Sequence, residues 1–224
     1  MTVVIPVLDE ARNVEAAIAS AKEAEEVVVV DGGSVDDTRT RSRASGAVVV
    51  AAGRGRGRQM NVGAAAATGD VLVFLHADTV LPSGFSWRLA RLTREFGAGW
   101  GRFDIRFDSG GPLLRLIARL ICWRSRLSRL ATGDQAIFVR RDLFFQVGGF
   151  REQLLFEDLG LCRRLRRVAA MAVPVGFAVT SSRRWREDGT LRVTLLMWGL
   201  RLLNYFGVSG DRLAPLYYRG VDGE

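Results

Sequence analysis

Short, almost wholly apolar runs alternate with polar, helix-spaced stretches through the first third of the chain. Thr2–Pro6, Val27–Val30, Val48–Ala51 and Val71–Leu75 have the length and content of buried strands. Between them, Leu8–Lys22 is expected to be a helix, with Asp9 and Glu10 near its start, where the helix dipole favours acids. A polar helical stretch follows Thr38, and a third helix is expected over Ala64–Ala67. Strand and helix alternating at this spacing predict an α/β protein, a mainly parallel sheet flanked by helices. Such sheets bind ligands beyond the carboxyl ends of their strands, so the residues closing each run become candidates for chemistry.

The second half is less regular. Its pattern predicts a helix over Pro82–Phe96, an alternating strand over Trp100–Phe107 and a helix over Leu113–Leu130. A strand over Thr132–Arg141, a short helix, a helix over Gly160–Val168 and a strand over Val173–Val179 come next. Two C-terminal helices, Thr190–Phe206 and Ser209–Tyr218, close the chain. At 100° per residue, Arg115, Arg119, Arg126 and Arg129 share one face of Leu113–Leu130, and most of its leucines and isoleucines take the opposite one. No acid occurs between Ser109 and Ala131. The pattern suits an interfacial helix on anionic lipid or an ordinary amphipathic helix with a solvated basic face. Arg124, on the apolar side, fits neither. Thr190–Phe206 is apolar on most sides, so it must cover the core, pair with a second copy in a homodimer or contact a membrane surface.

Composition narrows these choices. A chain of 224 residues can bury a sizeable core, and 48% hydrophobic with 25% charged residues is ordinary for a folded protein. The net charge of +8, nearly all of it arginine, favours anionic partners such as nucleotide phosphates, nucleic acid or acidic lipid. Cys122 and Cys162 have neither zinc-knuckle nor disulfide-scaffold spacing, which points to a reducing cytoplasm. No signal-peptide pattern opens the chain. Its longest apolar stretch, Leu195–Leu203, falls short of the roughly 20 residues of a membrane span.

Three stretches carry candidate chemistry. Asp31, followed by two glycines at the end of the second run, could accept hydrogen bonds from a nucleobase or ribose, or could simply cap a turn. Gly53–Gly63 holds Arg54, Arg56 and Arg58 and reads as a flexible loop able to close on a diphosphate. A solvated basic loop and an RNA contact are the competing readings of that stretch. Leu72–Asp78 ends on His76-Ala77-Asp78, and residues two apart on an extended chain point to the same side. The imidazole and carboxylate could share one cation, although such a pair alone is more often structural.

Taken in order, these pieces resemble the family 2 glycosyltransferases of GT-A fold. Val4-Ile5-Pro6-Val7-Leu8-Asp9-Glu10 is similar to that family's "IPxxNE", and Asp31–Thr38 to its "DGSxDxT" with Gly33 inserted or substituted. Asn61-Val62-Gly63, Gly69-Asp70 and Phe74–Asp78 resemble "RNxG", "GD" and "FLDAD". Gly148-Gly149-Phe150 followed by Glu157-Asp158 resembles the acceptor-side "GGF" and "ED". The resemblance implies one glycosyltransferase domain over 1–224. Its nucleotide-sugar half would be 1–107, its acceptor half 108–188 and its C-terminal helical segment 189–224.

By position, the resemblance implies that Asp31 binds the base and that Pro6 and Glu10 line the nucleoside. Asn61 and Ala77 belong to the same donor-binding set. Asp78, with His76, would hold the divalent metal, Mn²⁺ or Mg²⁺, on the donor diphosphate. Asp158 would be the general base of an inverting transfer, with Glu157 in support. His76 stands where the family has an acid, and Met60 where it has an arginine, so Arg56 or Arg58 would supply the phosphate contact. Ser181–Arg186, with Trp185, would fold over diphosphate and sugar. The expected partners are a UDP- or GDP-type sugar and a small-molecule or lipid hydroxyl acceptor, with no nucleic acid. The expected setting is cytoplasmic or peripheral at the inner membrane face. The overall style also resembles compact bacterial transferases associated with radical-SAM enzymes and arsenosugar biosynthesis. A nucleotidyltransferase and a non-catalytic nucleotide-sugar binder are the rivals, the first being expected to show a glycine-rich signature after strand one, where Pro6–Glu10 contains no glycine.

Overall fold

The computed structural model describes residues 1–222, and side chains as far as residue 217. A seven-stranded sheet forms its centre, in the order β3-β2-β1-β4-β8-β6-β9. β1 (Thr2–Val7), β2 (Glu26–Asp31), β3 (Val48–Ala51) and β4 (Val71–Phe74) run parallel, as their alternation with helices requires. β8 (Ile137–Arg140) reverses direction against β4 and β6 (Trp100–Gly101), and β9 (Met171–Ala172) completes the edge. A smaller sheet, β5-β10-β7, is built from Thr79–Val80, Phe177–Thr180 and Asp104–Phe107. This mixed α/β architecture is the expected one.

The central strands are apolar on both sides because both faces are covered. Val3, Ile5 and Val7 of β1 point into a core shared with α1 (Val14–Ser20), α4 (Phe85–Arg94) and α5 (Pro112–Ser128). Val4, between them, joins the opposite core with α3 (Arg56–Ala66), α6 (Arg141–Gln146) and α7 (Glu157–Val168). A third cluster packs Leu155, Phe156 and Leu159 against Leu200 of α9 (Thr190–Tyr205) and Leu213, Ala214 and Tyr217 of α10 (Gly210–Asp222).

Several expected boundaries move, each for a physical reason. The helix expected over Leu8–Lys22 begins only at Val14. The backbone N–H groups of Asp9, Glu10 and Ala11 are taken by the side chains of Ser34, Thr38 and Asp36, which pin this segment as a loop. Conversely, the glycine-arginine stretch is not a loop beyond Gly55, because α3 already starts at Arg56. Gly57 and Gly63 mark close approaches rather than flexibility. A β-carbon on Gly57 would stand 2.6 Å from Arg151 O, and one on Gly63 2.3 Å from Val4 Cγ1. The strand expected over Trp100–Phe107 is split between the two sheets at Arg102 and Phe103. There a fully buried Arg102 pairs with Asp104 and donates to the carbonyls of Phe103 and Cys122. Thr132–Arg141 is a short 3₁₀ turn, Gly133–Gln135, before β8, and Arg141 already belongs to α6. Val173–Val179 contributes only part of β10, and Ser181–Arg186 contains the helix α8 (Arg183–Glu187) instead of an open loop.

α5 also departs from its expected two-faced pattern. Leu114, Ile117, Ala118, Ile121 and Cys122 are buried, but Leu113, Leu116, Leu120, Trp123 and Leu127 form a second, exposed apolar stripe beside the arginines. α9 carries a similar exposed stripe, Leu191, Leu195, Trp198, Leu202 and Tyr205, and buries mainly Val193, Leu200 and Asn204. No helix among the described residues is long and apolar enough to cross a membrane. Both cysteines are free and buried.

Candidate active site

The carboxyl ends of β1 and β4 and the start of α7 converge on a cavity of about 890 Å³. Glu10, Arg56, His76, Asp78, Glu157, Asp158 and Trp185 all line it. Seven of the side chains singled out in the sequence therefore meet at one place, although they come from positions as far apart as 10 and 185.

At one end lie Glu10, Asp78 and Arg183. Burial raises the Glu10 carboxyl, Asn13 lowers it by donating to it, and the charge of Asp78 raises it further, so two carboxylates face each other here. Among the described residues the Asp78 carboxylate accepts only a long contact from the Thr79 hydroxyl, 3.3 Å, and it lines the cavity. No group of three His, Cys, Asp or Glu side chains among the described residues is placed to hold an ion unaided. The oxygen donors present suit a hard cation whose other ligands come from a bound phosphate. His76 fits that role less well, since its Nε2 edge packs against Gly133, where a β-carbon would stand 2.1 Å away. Enclosure and the nearby Arg56 charge hold the imidazole down at about 4, so it is neutral around pH 7.

At the other end, α7 begins on Glu157 and Asp158 after Phe156, which holds a left-handed φ of 65°. Asp158 Oδ2 accepts from Gly133 N at 2.9 Å and Oδ1 from Leu159 N at 2.6 Å, so the carboxylate is fixed in the cavity wall. Burial raises Asp158 more than these two bonds lower it. Glu157, 5% exposed, is pushed up to about 7 by burial and by the charge of Asp158. Trp185 stacks edge-on against Phe107 at 5.4 Å and closes one side.

The remaining candidates lie outside this cavity. Pro6 is buried within β1, opposite Val30, and Ala77 is buried beside the sheet. Asp31, 1% exposed, accepts from Ser34 N at 3.1 Å and Gly33 N at 3.2 Å and lies 3.3 Å from Arg39 Nε, which is the turn-capping arrangement. Arg58 is exposed and lies over Gly53. Asn61 clamps the Gly149–Phe150 turn, accepting from Phe150 N and donating to Phe150 O.

Sequence reasoning gave no site role to three charged cavity residues. Arg124 and Arg201 enter from the apolar helices α5 and α9, and Asp134 from the turn after Thr132, while Arg184 enters from α8 within the expected Ser181–Arg186 segment. The signal available was Arg124 itself, the one residue that broke the helical pattern. Gln59 was missed as well, and its buried Nε2 bridges the carbonyls of Val7 and Val30 at the ends of β1 and β2.

A search of curated proteins finds no match to the chain. Among solved structures, glucosyl-3-phosphoglycerate synthase from Mycobacterium tuberculosis, in complex with Mn²⁺, UDP and glucosyl-3-phosphoglycerate, is similar at 28% identity. The match covers 84% of this chain and 74% of that one, with a TM-score of 0.61. S. aureus TarS 1–349 shares the fold at 18% identity, over 87% of this chain and 65% of that one, with a TM-score of 0.65. The same TarS piece in complex with UDP-GlcNAc matches over 80% and 58%, at 18% identity and a TM-score of 0.63. The family model described as glycosyl transferase family 2 matches residues 2–154, more than half of the sequence, and the chain belongs to that family.

Proposed function

We propose that the protein transfers a sugar from a nucleotide diphosphate to a hydroxyl acceptor, with inversion and with the help of a divalent cation. The observation that carries this reading is Asp158, held by two backbone N–H groups, in the same cavity as Asp78 and Glu10. Similar structures hold UDP with Mn²⁺ in the mycobacterial synthase and UDP-GlcNAc in TarS, which supports a UDP-type donor.

In this reading the donor lies over the ends of β1 and β2, with Pro6 and Asp31 near the base and Glu10 toward the nucleoside. Asp78 would hold Mn²⁺ or Mg²⁺, which would neutralise charge on the departing diphosphate. Arg56 and Arg183 add positive charge at that end, and Trp185 shields the sugar. Asp158 accepts the proton of the acceptor hydroxyl as its oxygen attacks the anomeric carbon, while the bond to the diphosphate oxygen breaks on the opposite face. The raised carboxyl of Asp158 suits that task, because a stronger base takes the proton more readily. Neutral His76 lines the same cavity and senses the charges of Arg56 and Asp134. The exposed apolar stripes of α5 and α9 flank the mouth, since Leu120, Trp123, Trp198 and Leu202 line the same cavity. This arrangement supports contact with a membrane surface and an acceptor presented there.

A panel of UDP-, GDP- and dTDP-sugars with Mn²⁺ and Mg²⁺, scored by nucleotide release and by donor binding, tests this. Asp78→Ala is expected to weaken metal-dependent donor binding at least tenfold. Asp158→Asn is expected to keep donor binding and lose turnover by about 10²-fold or more, the scale of a positioned general base. Full turnover in Asp158→Asn removes the base, and a chain that binds no nucleotide removes the function.

A further inference from the structure

The cavity does not end at Asp158. Beyond it lie Arg124, Arg184 and Arg201, which no step of the transfer described above uses. Arg124 Nε and Nη2, Arg184 Nε and Nη2, and Arg201 Nε are all shielded from solvent and donate no hydrogen bond among the described residues, although Arg184 Nε lies 3.8 Å from Asp188 Oδ2. Guanidinium donors left so are costly, because water has been removed and nothing replaces it. Asp134 Oδ1 is also shielded and accepts no hydrogen bond among the described residues, so it gives these donors none, although the charges of Asp134 and Asp158 are felt by both Arg124 and Arg201.

The three arginines form a group of their own. Burial and then the positive charge of Arg201 bring Arg124 down to about 10, so two like charges stand near each other in the cavity wall. Arg184 donates Nη1 to the Tyr217 hydroxyl and lies over its ring, 4.0 Å from the centroid, and Arg201 senses that same tyrosine. At the donor end Glu10 responds instead to Asp78, Arg183 and Arg56. Asp158 stands between the two ends and responds to Arg201 and Asp134.

We infer that this far end is a subsite for a phosphate group carried by the acceptor, held by Arg124, Arg184 and Arg201. Guanidinium forks match phosphate oxygens in pairs, and a dianion balances the repulsion between Arg124 and Arg201. An acceptor anchored there would present its hydroxyl back toward Asp158. The inference rests on the transfer reading for the word acceptor, but the anion site itself does not. The phosphate could be free, as in a small phosphorylated alcohol, or could belong to a lipid headgroup entering between the α5 and α9 stripes.

The test is tryptophan fluorescence, using Trp123, Trp185 and Trp198 in the cavity wall, with saturating UDP and Mn²⁺ present so that the donor end is filled. The probes are sn-glycerol 3-phosphate, glycerol, and phosphatidylcholine vesicles with or without phosphatidic acid. Saturable binding of sn-glycerol 3-phosphate without binding of glycerol is expected for a free phosphate. A preference for phosphatidic acid vesicles is expected for a lipid phosphate. In either arm, Arg124→Gln and Arg201→Gln should weaken the response about tenfold or more, while exposed Arg140→Gln leaves it unchanged. Arg124→Lys, which keeps the buried charge, should retain more binding than Arg124→Gln, and guards against reading misfolding as lost affinity. Absence of both responses, or wild-type binding in Arg124→Gln and Arg201→Gln, overturns the subsite. UDP titrated separately reads the donor end, so a chain that binds phosphate but no UDP loses the transfer reading and keeps this one.

Discussion

The start of α7 puts two carboxyl groups side by side in a cavity wall, and the structure treats them differently. Asp158 has both oxygens on backbone N–H groups, whereas Glu157 sits deeper, and burial with the Asp158 charge carries it from an ordinary 4.5 to about 7. A carboxyl raised in this way is most comfortable protonated. Its contribution to stability is therefore intact below the unfolded value and is lost as pH rises through the folded one, between about 4.5 and 7. A shift of this size corresponds to a destabilisation of roughly 3 kcal/mol at pH 8 for the pair. Glu157→Gln, neutral at every pH, should remove it. Urea melts are expected to show the variant gaining stability over the wild type at pH 8 and losing that advantage near pH 4. An equal difference at both pH values would mean that Glu157 does not titrate where its surroundings place it.

At the scale of elements, the C-terminal helices hold the segment that carries those acids. Leu155 and Phe156 pack against Leu200, Leu213 and Tyr217, and Asp211 accepts from Leu154 N at 2.8 Å. Gly210 permits the approach, since a β-carbon there would lie 1.9 Å from Leu155 O. Gly210→Ala should push α10 off this segment, cost about 1–3 kcal/mol in thermal or urea melts and lower turnover with little change in donor binding. Unchanged turnover in a destabilised variant would separate α10 from the site. This dependence was not legible in the sequence, where α9 and α10 read only as helices in need of cover. Strands whose both faces are buried were legible, because Val3 to Val7 and Val71 to Phe74 state their burial locally. So was the group from Glu10 to Asp158, through motif order. Arg56 was assigned to a flexible loop because glycine was read as freedom, when Gly57 and Gly63 are contact points that only the packed helix defines. Arg124 and Arg201 look like flaws in apolar helices until residues some 77 positions apart line one cavity.

For the molecule as a whole, what stands out is the apolar surface left uncovered around the cavity mouth. Leu116 is 50%, Leu127 66% and Leu195 69% exposed, and they belong to stripes that include residues of the cavity wall. On α5 the arginine row Arg115, Arg119 and Arg126 lies about 90° around the helix from the leucines, counting 100° per residue. No acid occurs between Asp108 and Asp134, or between Asp188 and Asp211. Apolar side chains beside an unbroken row of arginines are what an anionic lipid surface recognises, whereas self-association would bring like charges together. The chain is expected to sediment with phosphatidylglycerol-containing vesicles at low salt, and less at 0.5 M salt. Leu116→Ser with Leu127→Ser, neither of which lines the cavity, should reduce partitioning about tenfold or more through lost burial of apolar area. Donor binding, measured without vesicles, should be unchanged in the same variant. Absence of sedimentation at low salt, together with a dimer that the two substitutions dissolve, would assign the stripes to a second copy of the chain and remove the membrane from the account.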